Sequence, residues 1–536
     1  MRRLRRTSNI VGDRGKRPES AILAVVPLSL MIDATALFRE NEILLTGANG
    51  FVGKVTLGLL LDRFPEFRHL HILMRAKRGY TPRERFERDV LTAPCLKPIV
   101  GRVRPEVLRD RLTMHAGDIA EPLCGLSPES VAALRGRVTL IINIAGLVEF
   151  TPPVDESFKS NVDGAESVIA LARELKARLV HVSTCFVCGE SDGLVEEDEP
   201  IPGFYPRRKG PEDQSFRAES EIRFMRERIR AVYEEAAARP RQDEKETRQK
   251  LTDLGVQRAA QWGWVNTYTY SKSLGEQLIA TAPGLEWSIV RPAIVEAALE
   301  FPFPGWVEGG RTAAPLVMMA MAGLRHWPVR ADAPMEVVPV DQVASAILTA
   351  AALLLAGKGP RVFHLGTADR NPIPLGAIVR WMREDYCKLK KRPKWLMPGV
   401  RILTPAQAKA RGRALVRRVN GLHMAAAGLR HAAHKANLPV AKPLARVASS
   451  LRMIGIQLNI REQALELYQP FTHDNRFIFE SDNIRTANAM LTAEDRTRLP
   501  WTPERIDWKK YWSENEVQGI RKWVEAEATR GHTFKI

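Results

Sequence analysis

Short apolar runs recur along the chain at residues 42–45, 70–74, 112–115, 140–144, 179–182 and 287–290. Each has the length of a strand, and most run without strict alternation of apolar and polar positions, which is the pattern of strands buried on both faces. Between them the apolar positions repeat every three to four residues, as in 52–64 and 165–175, which is the helical period. Strand and helix alternating in this way predict an α/β fold: a doubly wound parallel sheet of Rossmann type, joined by right-handed crossovers. Residues 344–356 are uncharged and mostly apolar but too short to cross a bilayer, and predict a buried helix.

A polar stretch, residues 190–263, interrupts the alternation. Within it 213–237 is charge-laced and reads as helix, while 239–250 reads as a solvated linker or a helix end. Beyond 378 the composition turns to Ala, Arg, Lys and Leu, punctuated by Pro393, Pro398 and Pro405, which predicts a helical, basic C-terminal domain over 379–536. The expected organisation is a basic N-terminal extension (1–40), an α/β domain (41–378) with its helical insertion (190–263), and that helical domain. At 536 residues and 45% apolar content the chain is long and apolar enough for about three such cores, so global disorder is excluded. Five cysteines exclude a disulfide framework and place the chain in a reducing compartment, the cytoplasm.

Charge changes the picture in one region. Lys and Arg number 80 against 62 Asp and Glu, a net +18. Residues 380–452 hold 18 of the bases and 2 of the acids, nearly the whole excess. A smaller cluster (Arg2, Arg3, Arg5, Arg6, Arg14, Lys16, Arg17) precedes the apolar residues 21–30. That order mimics a signal peptide, but the basic part is too long and a strand follows within about a dozen residues; Met31 is an alternative start. The basic 380–450 region has three readings: a peripheral face for acidic membrane lipids, a contact for phosphates of a small molecule, or a solvated helical face. No recognition motif or interleaved aromatics accompany it, which argues against nucleic acid.

The chemistry begins at the first strand. Thr46-Gly47-Ala48-Asn49-Gly50-Phe51-Val52-Gly53 joins a strand to a helix through three glycines. Such a turn lets backbone approach a pyrophosphate at a helix N-terminus. The second strand ends in Arg75, Ala76, Lys77 and Arg78, with no carboxylate to hold a ribose hydroxyl, so a 2′-phosphate is expected and NADPH is favoured over NADH. Asp118, after the third strand, is placed to accept from an adenine amino group. Downstream, Tyr268 and Lys272 stand four apart and so share a helix face. An ammonium beside a phenol stabilises phenolate, which would bring Tyr268 towards proton exchange near neutrality. Tyr270 has no such partner. A hydroxyl pair, Ser183-Thr184, closes the strand at 179–182. Cys185 and Cys188 form a single C-x-x-C, too few ligands for zinc; Cys185 as an acyl-forming nucleophile is a minor alternative to a packing role. His115, His181 and His364 read as core or loop histidines.

Together these motifs resemble the extended short-chain dehydrogenases/reductases, and residues 46–54, 182–189, 266–276, 291–305 and 338–341 resemble the alcohol-forming fatty acyl-CoA reductases. Residues 475–485 and 506–511 match more loosely and 380–450 least. The resemblance implies Thr184 (or Ser183), Tyr268 and Lys272 as the catalytic set. It implies that NADPH contacts Thr46, Gly47, Asn49, Gly50, Phe51, Val52, Gly53, Arg75, Asp118, Ile119, Ala145, Tyr268 and Lys272, without metal. The implied substrate is a fatty acyl-CoA, reduced twice to a primary alcohol with release of CoA. An aldehyde-forming reductase, a sugar-nucleotide epimerase or dehydrogenase on the same scaffold, and a non-catalytic NADP-binding protein are the alternatives. The epimerase predicts an acid where Arg75 stands.

Overall fold

A computed structural model describes residues 31–75, 79–210, 212–238, 243–310, 312–391, 393–397 and 399–526. The basic cluster of the first twenty residues lies outside them.

Seven parallel strands form one sheet: β1 (Glu42–Thr46), β2 (His69–Met74), β3 (Leu112–Ala116), β4 (Val138–Asn143), β5 (Arg178–Val182), β6 (Trp287–Pro292) and β7 (Val362–Leu365). Their spatial order is 7-6-5-4-1-2-3. The chain therefore winds one way from β1 through β2 to β3, then reverses to β4 on the other side of β1. A crevice opens at that reversal, beyond the carboxyl ends of β1 and β4. The first six strands fall where the apolar runs predict them; β7, short and preceded by a polar turn, has no such signal.

Helix α1 (Phe51–Arg63) begins directly after β1; α2 (Gly164–Leu175), α3 (Ala218–Ala237), α4 (Glu244–Trp262), α5 (Thr267–Ala280) and α6 (Val340–Leu355) follow. Alternate residues of β1 face opposite layers. Ile43 and Leu45 join the core made by α1 and α6, whereas Leu44 joins the one made by α2 and the end of α5. The buried helix read at 344–356 is α6, which is embedded almost throughout. The insertion packs α3 and α4 on α5 through Met225, Leu251, Trp264 and Leu274. Here the structure corrects one expectation: residues 244–250, read as linker or helix end, are the first turns of α4, started by the Asp243 carboxylate accepting from the Lys245 amide. Residues 34–40, at the end of the expected N-terminal extension, form a helix that buries Ala34 and Phe38 completely.

Two long helices, α7 (Pro405–Lys435) and α8 (Ala441–Gln469), make an antiparallel hairpin. After it the chain returns to the sheet. Arg476–Phe479 pairs in parallel with Asp192–Val195, and Phe477, Phe479, Ile484, Leu499 and Trp501 enter the core shared by α1 and α6. Glu336 pins this return: its carboxylate accepts from the backbone amides of Phe479 (2.7 Å), Thr367 (2.9 Å) and Ala368 (3.2 Å).

Candidate active site

The crevice at the reversal holds the glycine loop. Gly47 has φ +73°, and a Cβ there would stand 2.7 Å from the Ala145 amide nitrogen. A Cβ on Gly53 would lie 2.0 Å from the Gly47 carbonyl oxygen, so both positions exclude any side chain. Gly50 meets nothing closer than 3.4 Å and is exposed with Asn49, leaving open the side that a ligand would approach. No side chain caps α1, whose first residues are Phe51, Val52 and Gly53. An uncapped N-terminus behind a glycine turn is a ready anion site. Thr46 is used differently from the rest. Its hydroxyl donates to Asn143 Oδ1 (2.5 Å) and accepts from the Ala145 amide (3.2 Å), and Asn143 Nδ2 donates to His181 Nδ1 (3.0 Å). This buried chain ties the ends of β1, β4 and β5 together beneath the loop, and assigns His181 to the scaffold. Burial holds the His181 imidazole neutral, well below its ordinary pKa.

Arg75, at the end of β2, borders an open pocket of about 680 Å³ with Gly117, Asp118 and Glu121. A second guanidinium, Arg85, lines the same pocket and donates to the Arg75 carbonyl. The sequence reading passed over Arg85 because it lies ten residues on, in the short helix Pro82–Phe86 that folds back over β2. Lys77 and Arg78 lie outside the described residues. One Asp118 carboxylate oxygen accepts from the Ala120 amide (3.1 Å). Ile119 is buried against Gly164 at the start of α2.

On the opposite wall, α5 carries Tyr268 and Lys272 to the end of β5. Asn266 starts the helix by accepting from the Thr269 amide. Lys272 Nζ donates to the Val182 carbonyl (2.7 Å), one residue before the Ser183-Thr184 pair. Burial lowers the Lys272 pKa to about 8, with the Glu276 carboxylate opposing that shift. The Thr184 hydroxyl donates to the Pro292 carbonyl (3.3 Å) and acts on the Tyr268 phenol, favouring its charged form, while Lys272 stands one turn beyond Tyr268 on α5. The Tyr268 pKa departs from the sequence reading. Burial raises it above its ordinary value, Thr184 works against that, and the Lys272 ammonium, which donates to Val182 O, does not bring it down. Tyr270 points away and donates to Glu221 Oε1 (2.5 Å) in the insertion, where Arg258 also grips Glu221. Ser183 Oγ is buried with no hydrogen-bond partner among the described residues.

Asn161 went unnoticed in the sequence. It sits in a π-helical turn, Lys159–Asp163, a distortion that favours functional positions. Its side chain accepts from the Leu147 amide (3.1 Å) and donates to Ser271 Oγ (3.0 Å). The loop after β4 is thereby fixed against α5, with Gly146 beside Lys272 Nζ. Its neighbours Lys159, Ser160 and Asp163 are polar, so the sequence gives no sign that this amide is buried or what it meets.

Cys185 donates through Sγ to the Arg291 carbonyl (2.7 Å), and burial pushes its thiol well above the ordinary range. Cys188 is pushed up to about 12 by the same cause. Burial disfavours a thiolate at both positions, which counts against the acyl-cysteine alternative. His364 Nε2 lies 3.2 Å from Arg291 Nη1 in a buried cluster with Glu276. Beside the hydroxyl site stands an aromatic wall. The Phe150 carbonyl accepts from the Tyr268 amide, Phe471 stacks on Phe150 (5.0 Å, 26°), and Phe186 meets Phe471 edge-on.

Residues 45–347 match the NAD_binding_4 family, described as male sterility protein. A probable fatty acyl-CoA reductase of Arabidopsis thaliana is 30% identical over 357 residues, covering 65% of this chain and 70% of its own. The alcohol-forming fatty acyl-CoA reductase of Simmondsia chinensis is 29% identical over 362 residues, covering 66% and 72%. Among solved structures, the terminal R domain from the myxalamid PKS-NRPS biosynthetic pathway superposes with a TM-score of 0.52 at 19% identity, over 92% of each chain. That likeness concerns the fold.

Proposed function

The chain belongs to the male sterility family of NAD-binding proteins, with fatty acyl-CoA reductases among its relatives, and from that premise we propose that it reduces a long-chain fatty acyl-CoA to the primary alcohol with NADPH. The observation supporting this reading is Tyr268 and Lys272 on one face of α5, beside Thr184 at the end of β5 and across the crevice from the Gly47–Gly53 turn. The residues present fit a nicotinamide dinucleotide phosphate. Gly47, Gly50, Gly53 and the amides of Phe51 and Val52 would hold the pyrophosphate, Arg75 and Arg85 the 2′-phosphate, and Asp118 the adenine. The end of β2 carries Arg75 where an NAD-type ribose carboxylate would stand, which favours NADPH over NADH and disfavours the epimerase reading.

When bound, NADPH supplies a hydride to the acyl carbon, first of the thioester and then of the aldehyde. Everything else falls to side chains of this protein. Thr184 donates a hydrogen bond to the carbonyl oxygen, where negative charge develops as the carbon is attacked. Tyr268 gives its proton to that oxygen in the second reduction. A phenol with a raised pKa is a willing donor only while it stays protonated, and burial keeps it so. Lys272, charged below about pH 8, places an ammonium beneath this pair. In the first reduction the oxyanion would collapse to the aldehyde as the C–S bond breaks, and CoA would leave as a thiolate that takes its proton from solvent. The aromatic wall of Phe150, Phe186 and Phe471 offers an apolar flank to the acyl chain.

NADPH consumption by purified protein, followed with acyl-CoAs of increasing length and with product identification by mass, tests the reading. Two NADPH per CoA released, with fatty alcohol formed, is the expected result. One NADPH with free aldehyde makes the protein an aldehyde-forming reductase. Tight NADPH binding without turnover of any acyl-CoA removes the proposed substrate class.

A further inference from the structure

The hairpin of α7 and α8 is built inside out. The residues α7 buries are Gly412, Val419, Ala426 and Ala433, seven apart, and α8 answers with Ala448 and Gly455. A Cβ on Gly412 would run into the Glu462 carboxylate and one on Gly455 would stand 2.9 Å from Asn420 Oδ1, so the helices approach closely through small side chains. The large apolar residues are left outside. Leu415, Leu422 and Leu429 follow the α7 seam by three positions, again seven apart, and Val447 and Ile454 precede the α8 seam by one; all five are exposed. In an antiparallel pair these two phases flank the seam on the same side, so they form one continuous apolar side of the hairpin. A hairpin whose surroundings were only water would put its leucines at the seam and its alanines outside.

The charge around this side has one sign. Between residues 386 and 461 there are 17 Lys and Arg and no Asp or Glu. The first two carboxylates after it, Glu462 and Glu466, are already engaged by Arg461 (3.0 Å) and Lys409 (2.6 Å) at the hairpin's base. A second copy of the hairpin laid on this side would bring cations against cations with no carboxylate to receive them. An anionic surface with an apolar interior suits both features at once. The hairpin also leads to the candidate active site. Leu465 and Tyr468 at the end of α8 are buried in a core shared with Trp508, Tyr511 and Trp512, Tyr468 meets Phe150 edge-on (5.7 Å), and Phe471 stacks on the same ring.

We infer that the α7–α8 hairpin docks on an anionic lipid bilayer, its leucine side entering the headgroup boundary and its arginines meeting lipid phosphates. This goes beyond the reductase reading and stands without it.

Sedimentation of the purified full-length protein with vesicles tests the inference, using phosphatidylcholine alone and phosphatidylcholine with roughly one third phosphatidylglycerol. The expected result is at least about tenfold more protein bound to the anionic vesicles, weakening with added salt. The double variants Leu422→Asp with Leu429→Asp, and Arg417→Glu with Arg418→Glu, are each expected to lose that binding while keeping the thermal midpoint of the parent. Failure of the parent to bind anionic vesicles overturns the inference, as does undiminished binding by both double variants. So does light scattering that finds a dimer returned to monomer by the leucine pair, since the apolar side would then belong to a second copy.

Discussion

Tyr268 and Tyr270 are two residues apart on α5 and have opposite fates. One turns to Thr184 and the other is held by Glu221, because two positions on a helix differ by about half a turn. Tyr268→Phe is therefore expected to lower turnover by at least about a hundredfold while leaving the NADPH dissociation constant within about twofold, measured by steady-state kinetics and cofactor titration. Lys272 sets a pH dependence. Burial lowers its pKa to about 8, so its ammonium is present below that pH and lost above it. Activity is expected to fall as pH rises through about 8, and Lys272→Arg, which stays charged, to move that limb upward; a pH profile unchanged by the substitution would exclude the lysine as its source. The pair at the end of β2 makes a specificity prediction. Arg75→Ala or Arg85→Ala is expected to raise the KM for NADPH about tenfold or more and to leave that for NADH unaltered, since only a 2′-phosphate needs the guanidinium.

The same kind of argument applies to elements. The strand pairing of Arg476–Phe479 with Asp192–Val195 depends on Glu336, which accepts three backbone amides from two separate segments. Glu336→Gln keeps the shape but turns one acceptor into a donor facing N–H groups, leaving at least one buried amide unpaired at a cost on the order of 1–3 kcal/mol. A lower thermal midpoint with an unchanged secondary-structure spectrum is the expected outcome. Burial raises the Glu336 pKa to about 7 while those three amides work against the shift. Helix α4 illustrates a different lesson. Its first turns are polar on every side, and a pattern of apolar positions is silent there; the Asp243 cap and packing of Leu251 and Ala259 on α5 decide that it is helix.

Across the whole molecule the decisive contacts are long-range. Phe477, Phe479, Ile484, Leu499 and Trp501 lie in the same core as β1 and α1, more than 400 residues away in sequence. Removing residues after 474 would uncover that core, and the truncated chain is expected to aggregate on expression, which recovery in the soluble fraction will check. The sequence by itself determined six of the seven sheet strands, the glycine turn and the Tyr268/Lys272 spacing. Each is local: strand length, helical period and steric room at a turn are written in consecutive residues. Tertiary structure alone decided the rest. Arg85 enters the pocket of Arg75 because a short helix folds back over β2, and Asn161 reaches Ser271 across 110 residues. The direction of the Tyr268 shift depends on how deeply the phenol is buried and on where the Lys272 ammonium turns. Burial and partner choice belong to surfaces brought together from distant parts of the chain, and no spacing within one segment encodes them.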